Sequence, residues 1–239
     1  MEITTRISSL LFLNTFKLTG NKKTNRSDSF RQQLLERYGF TTEAVSCALL
    51  GAGIKASNVC AAHILRSEWA VYHELFGLKI NGVTNGIFLY KPLEFAFDCG
   101  DISFRLVNGV YVCKVLNESD AFRKQLIVTS AQKLLREGYV APPDAIAALK
   151  FEDLEGMPLL IPEHLWPEKR TFGFMAWLAV KKAIDQQWLP PTVDPVAEIG
   201  DMWSDGWTLQ DKVLLWLRDA DGNSVTEQSS QHTSGDEEY

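Results

Sequence analysis

The chain has 239 residues, 46% of them hydrophobic and 23% charged, with a formal net charge of −6. This composition excludes a disordered chain, a collagen and a coiled coil as accounts of the whole, and no uncharged apolar run of about 18 residues is available to cross a membrane. Residues 219–239 hold six acids and no Lys or Arg, so the rest of the chain carries 24 basic and 24 acidic groups, and the acidic balance leaves a nucleic-acid partner open.

Residues 1–16 fit a loose strand or a short helix, and a polar, basic linker follows. Residues 1–38 hold seven basic groups against three acids, the most basic stretch in the chain. Lys22, Lys23, Arg26 and Arg31 within it are candidate contacts to nucleic-acid phosphate, set against the plainer reading of a solvated linker. Asp28 or Ser29 suits the cap of a helix beginning near Phe30, with Phe30, Leu34, Leu35 and Tyr38 at helical spacing and Gly39 at its end. SCALLGAGI then reads as a strand and a turn, and NVCAAHIL (58–65) as a second strand. Residues 66–84 read as a long loop. Pro92 suits the start of a helix over KPLEFAFDCG and Gly100 its end. ISFRLVNGVYVCKVL (102–116) predicts a hairpin about Asn108-Gly109. The stretch that ends at Gly138 is helical in part, and APPDAIAALKFEDLEGMPLLIP mixes a short helix with extended pieces. TFGFMAWLAVKKAIDQQW (171–188) has the length of a buried helix, stopped by Pro190-Pro191. Trp203, Trp207 and Trp216 follow, and packing is favoured over base stacking as their role. The acidic residues 219–239 read as disordered.

The four cysteines form no C-x-x-C pair, which argues against a four-thiolate zinc site. With no secretory signal, the expectation is a reduced protein of the nucleus or cytoplasm with buried thiols. His63 sits in an apolar run, where a lone His is usually a hydrogen-bonded core residue. The ordered set around it changes that weighting. F-R-x-x-L-L-E-R-Y-G (30–39), C-A-L-L-G (47–51), A-A-H-I (61–64), N-G-I-x-L (85–89) and E-F-A-F-D-C-G-D-I (94–102) together resemble the HNH endonuclease family. The similarity is greatest to a subgroup with the pattern A-A-H-I, N-G-I-x-L, H-x-x-F-D-x-G. L-E-G-M-P-L-L-I-P (154–162) resembles the way these domains close.

The resemblance implies a ββα-metal core; together with the β-hairpin and the helical, Trp-rich C-terminal extension read from the residues, the expected class is α+β. It implies His63 as general base, Asn85 as the residue that braces the loop, and Glu94 as a ligand of one divalent metal. Asp98, one helical turn on and so on the same face, is a candidate second ligand, set against the plainer reading of an Asp hydrogen-bonded at the helix end. The family ligand at position 94 is His; a carboxylate there favours Mg²⁺ or Mn²⁺ over Zn²⁺. Arg66, just past the base, is a further candidate for phosphate. The implied organisation is an extension with basic linker (1–28), the nuclease domain (29–175), a helical Trp-rich extension packed on it (176–218) and the tail (219–239). Departures are Ala62 where the wider family often has a ligand, Leu50 for Thr, and Leu65-Arg66 for the usual Pro. They leave two readings open: a metal-dependent DNA endonuclease, or a degenerate domain that binds nucleic acid or protein. The Trp-rich region is the expected surface for a homodimer or another protein partner.

Overall fold

Residues 28–66, 79, 81–128 and 141–195 are described by the computed structural model. Lys22, Lys23, Arg26, the Trp-rich residues 203–216 and the acidic tail lie outside them.

Helix α1 (Asp28–Tyr38) takes in Asp28 and Ser29, the two expected cap residues, as its first turn, and it buries Phe30, Leu34 and Leu35 of the expected stripe. Strand β1 (Val59–His63) pairs antiparallel with β2 (Gly86–Tyr90) in the register Val59↔Tyr90 to His63↔Gly86. All ten residues are buried, because this two-stranded ribbon has α1 packed on it as well as helix α2 (Lys91–Cys99). Burial on both faces explains why VCAAH and GIFLY read as continuous apolar runs rather than alternating ones. Pro92 lies in the first turn of α2, and Gly100 ends it in the left-handed region at φ 71°.

The segment 47–51 departs from expectation. It is a tight turn, closed by backbone hydrogen bonds from Cys47 N to Gly51 O (2.9 Å) and from Gly51 N to Cys47 O (2.8 Å). It leans on β2 through Ala48 N to Phe88 O (2.7 Å) and Tyr90 N to Cys47 Sγ (3.3 Å), and does not pair with β1. The ends of the turn bond to each other, while Ala48 at its start ties the backbone to β2.

Beyond α2 comes the predicted hairpin, β3 (Ile102–Val107) with β4 (Val110–Val115). Asn108 and Gly109 both take positive φ, 49° and 78°, as a two-residue turn between twisted strands requires. The closing segment runs along β4, with Cys113 N bonded to Met157 O (2.8 Å) and Leu159 N to Tyr111 O (2.8 Å). Leu160 N then reaches Ala48 O (2.7 Å), which ties this segment back to the 47–51 turn. Among the described residues, two single-turn α-helices follow the hairpin, α3 (Asp120–Arg123) and α4 (Asp144–Ala147). The long helix α5 (Lys169–Asp185) packs on β3, and Phe104, Tyr111 and Phe172 meet in an aromatic cluster with centroid separations of 4.9–5.4 Å. Because α5 continues unbroken through 175 and 176, the boundary suggested there falls inside a helix. The mixed helices and small sheets make this an α+β fold, and no described helix is long and apolar enough to cross a membrane.

Candidate active site

His63 is the last residue of β1 and is 8% exposed. Its ring stacks on Phe30 of α1, with centroids 3.9 Å apart and planes 10° from parallel. Its Nε2 lies 3.0 Å from Asn81 Oδ1. Strand pairing fixes the backbone opposite, at Gly86. Gly86 has an ordinary extended φ of −143°, so glycine is needed there for space. A Cβ would stand 2.6 Å from Phe30 Cζ and 3.2 Å from Leu34 Cδ1. Tyr38, two turns beyond Phe30 on the same helix face, donates its hydroxyl to Gly86 O (3.2 Å).

Asn85 is fully buried. Its Nδ2 donates to Leu65 O (2.8 Å), its Oδ1 accepts from Leu65 N (2.7 Å), and its own carbonyl accepts from Ile64 N (2.9 Å). Three hydrogen bonds therefore pin the two residues that follow His63. A side-chain amide is the group for this task, because it carries a donor and an acceptor at the spacing of a peptide unit.

Glu94 and Asp98 lie one turn apart on α2 and are both partly exposed. The Cys60 thiol donates to Glu94 Oε2 (3.2 Å) and also approaches Leu89 O (3.3 Å). Since Cys60 meets α2, strand alternation puts Ala62 on that same face and His63 on the face towards α1. Ala62 therefore occupies the strand position from which a second ligand would face α2. Two carboxylates one turn apart suit a hard divalent ion whose shell is completed by water and substrate phosphate. Among the described residues, no group of three His, Cys, Asp or Glu side chains is assembled as a metal cage.

The two described arginines of the predicted phosphate set, Arg31 and Arg66, both donate to backbone carbonyls. Arg66 is 7% exposed and donates to the carbonyl of Asp98 at the C-terminal end of α2. Lys182 of α5 donates to the neighbouring carbonyl of Cys99 and lies 3.3 Å from the Asp101 carboxylate. Both cations sit where the α2 dipole is negative. Arg31 donates to Val59 O (2.9 Å) and Ala56 O (3.4 Å), with its guanidinium over the Phe88 ring. A cleft of about 370 Å³ opens beside α1 and brings Arg31, Lys91, Thr42 and Ser57 to its wall.

None of the four cysteines is in a disulfide, and burial pushes the Cys47 and Cys113 thiols up, away from reactive thiolate. Phe30 and Asn81 are the two residues of this site that sequence reasoning did not single out. Phe30 was legible as a core position of α1, and Asn81 as half of an Asn-Gly turn dipeptide. Neither signal says that the side chain touches His63.

No curated protein and no solved structure matches the chain. A family model described as HNH endonuclease matches residues 47–105, a span that begins at the turn beside β2 and ends within β3. With β1, His63, Asn85, β2 and α2 all inside it, residues 47–105 form a domain of the HNH endonuclease family, as the motifs indicate.

Proposed function

We propose that the protein is a metal-dependent HNH-type endonuclease that hydrolyses phosphodiester bonds of DNA, with His63 as general base. The observation that carries this is the end of β1. A histidine stands there with its ring held by Phe30 and Asn81 and its following loop pinned by buried Asn85. A neutral imidazole in that setting accepts a proton from water as the water oxygen bonds to phosphorus. The bond from phosphorus to the 3′ oxygen breaks, and that oxygen takes a proton from solvent. General-base assistance of this kind contributes roughly 10²–10⁴ in rate. Asn85 holds the loop, so that the base does not drift from the attacking water.

Glu94 and Asp98 are the side chains that would hold one divalent ion, Mg²⁺ or Mn²⁺ in preference to Zn²⁺, since both are hard oxygen donors. Such an ion, when bound, stabilises charge on the phosphate and the leaving oxygen. Lys22, Lys23 and Arg26 would add phosphate contacts from the basic stretch ahead of α1, visible as a salt-dependent affinity.

Incubation of the full chain with supercoiled plasmid in EDTA, Mg²⁺, Mn²⁺ and Zn²⁺ tests the proposal. Nicked or linear product in Mg²⁺ or Mn²⁺, absent in EDTA and lost in Glu94→Ala, is the expected result. A folded protein that cleaves in none of these conditions yet binds DNA would support the second reading, a nucleic-acid-binding module. Ala62, on the face towards α2, is the residue that favours that reading.

A further inference from the structure

We infer that Asn81 and Phe30 are positioning residues for His63, with Asn81 selecting the Nε2–H tautomer and Phe30 fixing the ring plane, so that Nδ1 is the nitrogen that takes the proton. This rests on the reading of His63 as general base. Nε2 of His63 lies 3.0 Å from Asn81 Oδ1. An amide oxygen accepts and never donates, so the hydrogen between them belongs to Nε2. A neutral imidazole has one N–H, which leaves the basic lone pair on Nδ1.

The plane of the ring is set independently. Phe30 is fully buried and stacks on the imidazole at 3.9 Å, within 10° of parallel. Phe30 in turn has no room to retreat, since it lies against Gly86, the register partner of His63. Strand pairing therefore fixes the backbone of His63, Phe30 its plane and Asn81 its proton. Phe30 lies outside the span matched by the family model, so α1 is part of the working unit and not an appendage to it. Asn81 precedes the Val83–Asn85 turn, and Asn85 N bonds back to Gly82 O (2.9 Å). One short segment thus supplies both the brace for the loop after His63 and the acceptor for its ring.

Nitrogen-15 spectra of the histidine rings in the full chain test the inference, at a pH where His63 is neutral and with His63→Ala to assign its signals. The wild type is expected to show a protonated Nε2 and an unprotonated Nδ1. In Asn81→Ala the tautomer ratio shifts by about tenfold towards Nδ1–H, the worth of one hydrogen bond. Asn81→Asp keeps an acceptor and retains the wild-type tautomer. Asn81 is exposed, so these replacements leave the core untouched. A wild-type ring with its proton on Nδ1, or an unchanged ratio in Asn81→Ala, would overturn the inference. Plasmid cleavage run in parallel keeps the two claims apart. An inactive wild type with the expected spectrum sinks the general-base reading and leaves the tautomer assignment standing. An active wild type with the opposite tautomer does the reverse.

Discussion

The dipeptide Asn-Gly occurs at 81–82, 85–86 and 108–109, and each copy does something different. Asn108-Gly109 makes the hairpin turn its neighbours predict, because β-rich segments flank it on both sides. At Asn85-Gly86 the glycine is extended and the Asn side chain is buried against Leu65. Sequence alone distinguishes the two only through the surrounding motif. His63, Asn85 and Glu94 were legible because their order and spacing resemble a known pattern. Phe30 and Asn81 were not, because their role is a contact to a ring 33 and 18 residues away, which no local pattern encodes. The brace at Asn85 leads to a prediction at this scale. Asn85→Ala leaves the Leu65 N–H and carbonyl without their side-chain partner in a buried site, at a cost of about 2–4 kcal/mol. Urea unfolding measures it; a loss below about 0.5 kcal/mol would show that the loop is held by other means.

Among the elements, the β1–β2 ribbon depends on two helices that meet it for different reasons. Helix α1 covers it with Phe30, Leu34 and Tyr38, all directed at Gly86. Gly86→Ala is therefore an overpacking substitution, expected to destabilise by about 1–3 kcal/mol and to displace Phe30 from His63. Equilibrium unfolding gives the first, and the ring signals of His63 the second. Helix α2 is held at its C-terminal end by Arg66 and Lys182, which donate to the successive carbonyls of Asp98 and Cys99. The sequence reads Arg66 as a phosphate contact because it follows the candidate base. In the structure it donates to the carbonyl of Asp98 at the C-terminal end of α2. The 47–51 segment was read in part as a strand because apolarity marks what is buried, whereas pairing decides what is a strand.

At the scale of the molecule, α5 and the closing segment 156–160 join the hairpin to the ribbon, so the family span is embedded in structure from both sides of the sequence. Burial within that assembly carries a pH signature. It raises the Tyr38 and Tyr111 hydroxyls from their ordinary 10.0 to about 12, and the Cys99 thiol from 9.0 to about 11, the latter with help from Asp101. The unfolded chain releases these protons near the ordinary values. The folded chain therefore binds more protons from about pH 9 to 12, and its stability falls with rising pH across that window. The urea midpoint is expected to drop steadily there, and a flat midpoint would contradict the burial of these groups. What sequence conveyed at this scale was the α+β class and the presence of the α5 helix. The way α5 runs through the suggested boundary at 175 was hidden, because a buried helix carries no mark of which domain it serves.

The central claim is that His63 takes the proton from attacking water. Single-turnover cleavage of plasmid DNA in Mg²⁺ or Mn²⁺ by the wild type and by His63→Ala tests it most directly. With DNA affinity preserved, the account predicts a fall in rate of roughly 10²–10⁴ in His63→Ala. Cleavage at an unchanged rate by a folded His63→Ala protein would contradict it.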